Sequence, residues 1–147
     1  MSQENNSISY AKTFINEVYQ SGICDFKPRA LPKNFGEVIV LFTLNIKGPI
    51  NSGELASCLS MKTARIAAIL KALEEKGQIT RTQRKEDKRI ILVSLTEKGK
   101  ESCVNTINDL VKRIANAYEK IGKDEMDQFK STLIKLCLIA KEETENA

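Results

Sequence analysis

Apolar residues recur along this chain at changing spacings, and the spacing predicts the elements. Ile8, Ala11, Ile15, Val18 and Tyr19 return every three or four positions, which places them on one face of a helix from Ser7 to about Ile23. Ser21-Gly22 weakens its end, and Lys27-Pro28-Arg29-Ala30-Leu31-Pro32 cannot continue it, because proline lacks a backbone N–H and restricts the residue before it. A second helix is expected from Asn34 to Asn45. Its run Val38-Ile39-Val40-Leu41-Phe42 is apolar on nearly all sides, so it should be the central buried helix. The β-branched residues make a strand the competing reading, but length and the stop at Lys47-Gly48-Pro49 favour a helix. Asn51-Ser52-Gly53-Glu54 pairs a capping residue with a glutamate three positions on, a capping box opening a short helix, Ser52 to Cys58. After Leu59-Ser60-Met61 a longer helix should run from about Lys62 to Lys76, with Ile66, Ile69, Leu70 and Leu73 as its stripe and Gly77 as its C-cap. Its start is capped by Ser60 or, with Lys62 there, capped poorly.

Beyond Gly77 the period changes. Ile79-Thr80-Arg81-Thr82 and the β-branched run Ile90-Ile91-Leu92-Val93-Ser94-Leu95 flank Arg84-Lys85-Glu86-Asp87-Lys88-Arg89, a hairpin with a long basic tip. Thr96 can cap a following helix that reaches about Ile121, with Val104, Ile107, Leu110, Val111, Ile114 and Tyr118 on one face. Gly122 breaks it, and Asp124 lies in the first turn of a last helix carrying Met126, Phe129, Leu133, Leu136, Cys137 and Ala140. The terminal Glu142-Glu143-Thr144-Glu145-Asn146-Ala147 should fray. The expected fold is mainly α with a small β-hairpin wing: a winged helix-turn-helix over residues 35–99, flanked by a helix and loop at 1–34 and by helices at 100–147.

Composition narrows the function by exclusion. The 147 residues contain no His, which removes His-based triads and imidazole metal ligands. The seven Gly are isolated, so no phosphate-cradling loop exists. An enzyme is therefore a remote reading, and no cofactor or metal is expected. Met1 to Ser7 is polar and lacks the basic start and apolar run of a signal peptide. No apolar stretch approaches the roughly 20 residues of a membrane span, so a cytoplasmic protein is expected. The four cysteines (Cys24, Cys58, Cys103, Cys137) show no CxxC pairing and read as reduced, mostly buried thiols.

Charge points the same way as the element order. Between Lys47 and Lys100 lie 12 Lys/Arg against 6 Asp/Glu, whereas the rest of the chain has a slight acidic excess. A basic centre on a helix–turn–helix–hairpin frame is the footprint of a nucleic-acid reader. A helix fits the major groove, and a hairpin beside it can place a cation in the adjoining minor groove, where the potential is most negative. Arg81, Arg84, Lys85, Lys88 and Arg89 supply five cations within the nine residues 81–89. At the start of the longer helix, Arg65 could pair with guanine, Thr63 could meet a phosphate or a thymine methyl, and Lys62 could meet phosphate. The runner-up is a winged-helix protein-interaction module that does not read DNA; it would carry an apolar or acidic wing.

Gly53-Glu54-Leu55-Ala56, Leu73-Glu74-Glu75-Lys76-Gly77-Gln78-Ile79, Asp87-Lys88-Arg89 and Ser94-Leu95-Thr96-Glu97-Lys98-Gly99 together resemble the MarR family of multiple-antibiotic-resistance-type regulators. The resemblance is close in the middle of the chain and rests on pattern alone in the flanking helices. It implies a homodimeric transcription regulator, typically a repressor, whose first and last two helices interlock with those of a partner. Each winged domain would then read one half of a palindromic operator in double-stranded DNA. It further implies that Arg89 enters the minor groove and that Asp87 orients it. The family often has a hydroxyl residue near the start of the longer helix and a Thr-Arg pair further on; here Lys62 and Ala67-Ala68 stand there, which leaves the operator open. Relatives respond to small aromatic molecules, for which Tyr10, Phe14, Tyr19, Phe35 and Phe42 are possible linings and more simply core. Other relatives respond to oxidants; here Cys24, with Lys27 and Arg29 close in sequence, is the redox candidate.

Overall fold

The computed structural model describes residues 2–22 and 34–145. The order is α1 (Ser2–Gln20), α2 (Phe35–Lys47), β1 (Ile50–Asn51), α3 (Ser52–Cys58), α4 (Thr63–Glu75), β2 (Ile79–Gln83), β3 (Ile91–Leu95), α5 (Glu97–Ile121) and α6 (Lys123–Glu145). Two compact units result, one from the described residues of 1–28 and 107–147, the other from those of 29–106.

In the second unit, α2 is helical despite its β-branched run, and buries Ile39, Val40, Leu41 and Leu44. The capping box forms: Asn51 Oδ1 accepts the Glu54 N–H at 2.9 Å, and Glu54 Oε2 accepts the Asn51 N–H at 3.3 Å. α3 buries Leu55, α4 buries Ile66, Leu70 and Leu73, and Leu59 fills the turn between them. The hairpin strands β2 and β3 pair antiparallel, with Ile79 opposite Leu95 and Gln83 opposite Ile91. β1 adds a third strand through Ile50 opposite Val93. Sequence pattern misses β1 because two residues cannot display a period of two.

Helix ends show what local chemistry does and does not decide. Lys62 is the N-cap of α4 and makes no side-chain capping bond; Ser60 takes φ 46° in the turn and does not cap either. At the other end the C-cap is Lys76, and Gly77 stands one position beyond, at φ 68°. The Gly77 N–H donates to the Glu74 carbonyl at 2.9 Å and the Gln78 N–H to that of Leu73 at 2.9 Å. That is a Schellman ending, which needs a residue free to adopt the left-handed region. α1 begins at Ser2 rather than the expected Ser7; its first turn is polar, so the apolar repeat does not reveal it.

In the first unit, α1 packs against the later turns of α5 and against α6. Ala11, Val111 and Ala115 form one cluster with Ile8, Ile15 and Ile114, and Phe14, Val18 and Met126 form another with Tyr118 and Leu133. Tyr10 donates its hydroxyl to Asp127 at 2.9 Å, and its ring packs at a 35° tilt against Tyr118, 4.5 Å between centroids. Burial, and then the Asp127 carboxylate, push the Tyr10 phenol well above its ordinary range. Several expected stripe residues are exposed: Val104, Leu110, Phe129 and Leu136, and with them Ile121, Leu138 and Ile139. Of the cysteines, Cys103 and Cys137 are buried and Cys58 is exposed; burial pushes the Cys103 thiol up. Cys24 lies outside the described residues.

Candidate nucleic-acid interface

Two cationic features belong to the unit built from residues 29–106. The first is the start of α4, where Lys62, Thr63 and Arg65 are exposed together, alongside Ala64, Ala67 and Ala68. Burial of Ile66, Leu70 and Leu73 fixes this orientation, since residues half a turn from the stripe must face outward. Among the described residues, no carboxylate forms an ion pair with Lys62 or Arg65.

The second is the hairpin tip. The Arg84 N–H donates to the Ile90 carbonyl at 2.9 Å, and the Ile90 N–H to the Asp87 carbonyl at 3.0 Å, closing a tight turn over 87–90. Asp87 works twice in that turn. Its Oδ1 accepts the backbone N–H of Arg89 at 3.0 Å, the side-chain-to-backbone bond by which Asp organises turns. The same carboxylate takes the Arg89 guanidinium through Nε at 3.1 Å and Nη2 at 3.2 Å, a bidentate fork. The Arg89 side chain bonds, then its N–H, then the nearby Arg84 charge hold the Asp87 carboxyl below the usual carboxylate range. Arg89 is nonetheless 90% exposed at its side chain. A long side chain is thus held at one end of its range while its outer face stays open to a ligand. Arg84, Lys85 and Lys88 surround it, and among the described residues no carboxylate pairs with them.

Arg81 is set apart from the other wing cations. It stands in β2 opposite Val93, and its Nε donates to Glu74 Oε2 of α4 at 3.0 Å. It ties the hairpin to the helix. Behind α4, Lys76 pairs with Glu37 of α2.

The Ser94–Gly99 motif has a structural explanation that sequence spacing does not give. Thr96 caps α5 by accepting the Gly99 N–H at 3.0 Å, and its hydroxyl donates to the Gly77 carbonyl at 2.7 Å. The Thr96 N–H donates to the Gln78 carbonyl at 3.0 Å, and Lys98 Nζ to the Lys76 carbonyl at 2.7 Å. Gln78 Nε2 reaches Ser102 Oγ at 2.8 Å. Gly99 passes so close that a Cβ there would stand 1.9 Å from the Gln78 carbonyl oxygen. The last carbonyls of α4 and its exit turn are therefore satisfied by the first residues of α5. The long-range partners could not have been read from local pattern. The outward alanines of α4 could, from the phase of the buried stripe.

Tyr10 and Phe14 belong to the core of the other unit, and an open cavity of about 320 Å³ beside β3 is lined by Leu44, Asn45, Gly48, Pro49, Ser94, Leu95 and Lys100. Among the described residues, no cluster of three or more His, Cys, Asp or Glu could hold a metal ion. No described helix is long and apolar enough to cross a membrane.

Residues 34–91 match the MarR family. SarZ of Staphylococcus saprophyticus, an HTH-type transcriptional regulator, is 30% identical over 95 residues, which is 65% of this chain and 64% of that protein. The alignment thus spans a little less than two thirds of that relative. YkoM of Bacillus subtilis, also named an HTH-type transcriptional regulator, is 29% identical over 120 residues, 81% of this chain and 75% of that one. Among solved structures, FabT of Streptococcus pneumoniae in complex with DNA has the same fold at a TM-score of 0.66, with 16% identity over 97% of this chain and 99% of that one. Residues 34–91, which carry α2 to α4 and the outgoing strand of the hairpin, are thus similar to the MarR family over that stretch.

Proposed function

We propose that this protein is a cytoplasmic transcription regulator that binds a palindromic duplex-DNA operator as a homodimer, acting as a repressor released by a small aromatic molecule or an oxidant. The observation that carries the reading is Arg89, clamped by Asp87 yet open to solvent at a cationic tip. It shares one frame with an α4 whose outward start bears Lys62 and Arg65, exposed and in no ion pair among the described residues. α4 lies in the major groove: Arg65 takes a guanine edge, Thr63 a phosphate or thymine methyl, and Lys62 a phosphate. Arg89 enters the adjoining minor groove. Arg84, Lys85 and Lys88 bind the phosphates that flank it, and Arg81 supports the wing from its pair with Glu74. Asp87 offers no attraction to DNA; it positions Arg89. A surface of this charge suits a polyanion and distinguishes a DNA reader from a winged-helix interaction module.

Dimerisation through the segments 1–34 and 100–147 is supported by the uncovered Ile121, Phe129, Leu136, Leu138 and Ile139. Exposed apolar groups of this size offer a surface that a partner subunit can cover, and a two-fold axis would match a palindrome with half-sites about one helical turn apart. The test is affinity for a duplex selected by the purified protein from a randomised pool. Arg89→Ala should cost about 1–3 kcal/mol, which is roughly fivefold to 150-fold in Kd. Unchanged affinity for the selected duplex would remove the wing from the account.

A further inference from the structure

We propose that Gly36, at the start of α2, is a positioning residue for Arg65 of α4: its bare backbone and Ile69 form a seat that holds the guanidinium in the direction from which it meets a guanine. The proposal rests on the DNA-reading role of α4 and deepens it by naming what aims its arginine. Both helices lie in the unit of residues 29–106. Gly36 is buried, Ile69 half-buried and Arg65 exposed. A Cβ at Gly36 would stand 2.9 Å from Ile69 Cδ1, 3.6 Å from Ile69 Cγ1 and 4.0 Å from Arg65 Nη2. The start of α2 therefore meets this face of α4 through bare backbone, and the tip of Arg65 lies beside it. Arg65 and Ile69 are four positions apart on α4, which makes them neighbours on one face. A long helical side chain leans toward the N-terminus of its helix, which brings the Ile69 side chain toward Arg65.

Shape rather than charge does the holding. Among the described residues, no carboxylate forms an ion pair with Arg65. Glu37, the acid in the first turn of α2, is committed to Lys76. Asn34 supplies no side-chain cap, so the guanidinium lies beside the positive end of a helix dipole, which offers it no attraction. An arginine seated this way keeps its donors for a base edge and gives up no partner on binding. Arg89 differs, since its guanidinium is forked on Asp87. Ordering a loose side chain of this length weakens binding by roughly two- to tenfold. That loss falls only on a duplex whose guanine engages Arg65. A seat that removes it therefore appears as discrimination at one base pair, not as general affinity.

The test uses the full-length protein and the duplex recovered from a randomised pool, remade with each base pair varied in turn. Arg65→Ala locates the pair that Arg65 reads, where a native preference for guanine of about fivefold to 150-fold should vanish. Gly36→Ala drives a methyl group against Ile69 Cδ1, and Ile69→Val opens a gap beside the guanidinium. Each should lower discrimination at that pair by roughly two- to tenfold, with preferences at other pairs within about twofold of native. The double variant Gly36→Ala, Ile69→Val adds one methyl and removes one. It conserves the packed volume and should recover native discrimination to within about twofold. Should Gly36→Ala unfold, as judged by circular dichroism, Ile69→Val alone provides the comparison with the native protein. Unchanged discrimination in the single variants, a loss spread evenly over every base pair, or a loss that the double variant does not recover would overturn the proposal. If Arg65→Ala erased no base preference, or the native protein bound no duplex, the reading of α4 on which the proposal stands would fall instead.

Discussion

Replacing Gly99 by alanine sets two opposed effects against each other, and the structure decides which wins. Gly99 is in the first turn of α5, where alanine is intrinsically favoured over glycine by about 1 kcal/mol. On local grounds the substitution should stabilise. The added Cβ, however, would stand 1.9 Å from the Gln78 carbonyl oxygen and 2.9 Å from its carbon. Both are backbone atoms, so no side chain can swing away. Reaching an ordinary contact near 3.5 Å requires the two segments to part by roughly 1.5 Å. That movement breaks the Thr96 N–H bond to Gln78 at 3.0 Å, the Thr96 hydroxyl bond to Gly77 at 2.7 Å and the Gln78 bond to Ser102 at 2.8 Å. Three bonds at about 1 kcal/mol each, with about 1–2 kcal/mol of overpacking strain and less the helical gain, leave a net loss of about 3–4 kcal/mol. In a chain of this size that lowers the melting temperature by on the order of 10 °C. Urea unfolding followed by circular dichroism should show a lower midpoint at unchanged slope, the sign of altered stability rather than altered compactness. A Gly99→Ala protein as stable as the native one, or more so, would refute the close approach of Gly99 to Gln78.

Other outcomes follow from the same geometry. Asp87 has a depressed carboxyl pKa, first because Arg89 bonds it; Arg89→Ala should return it toward about 3.9, read from its carboxyl carbon in an NMR titration, and an unmoved value would contradict the clamp. Because the folded value is the lowered one, the ordering this pair supplies is complete above the ordinary carboxylate range and is lost as pH falls through the lowered value. The wing tip should therefore loosen only in acid, below about pH 4, and amide exchange at Arg89 that rises already near neutrality would speak against it. Replacing thymine by uracil in a selected half-site removes only the C5 methyl. If Ala64, Ala67 and Ala68 pack on such methyls, each loss should cost about 0.8 kcal/mol, close to fourfold, and unchanged affinity at every position would exclude that contact. Leu136→Asp and Ile139→Asp put a carboxylate on the uncovered face of α6, so light scattering should show a shift from dimer to monomer; an intact dimer from both would place the interface elsewhere.

What was legible in the sequence was whatever short-range physics controls. The capping box at Asn51 and Glu54, the Thr96 cap and the break at Gly122 each depend on neighbours within a few positions, and each appears where spacing placed it. The buried stripe of α4 follows from helical period alone. The pattern fell short where a partner lies far along the chain. Arg81 reads as one more wing cation until folding brings it to Glu74, seven residues back and on another element. Thr96 and Gly99 stand out as a recurring motif, but the carbonyls that require them belong to Gly77 and Gln78. β1 is too short to carry a period, and the first turn of α1 is too polar to show one. At the candidate interface the cations themselves were plain from the sequence. Their sorting was not, because ion pairing is a tertiary property: Arg89 is clamped, Arg81 is committed to Glu74, and Lys62, Arg65, Arg84, Lys85 and Lys88 are unpaired among the described residues.

The most direct test of the central claim is the salt dependence of affinity for a selected duplex. Lys62, Arg84, Lys85 and Lys88 of each protomer, doubled by a two-fold axis, would neutralise about eight phosphates, and the logarithm of the association constant should fall against the logarithm of salt with a slope of about −7. A protein that ignored duplex DNA even in dilute buffer, or bound it with a slope near zero, would contradict the account.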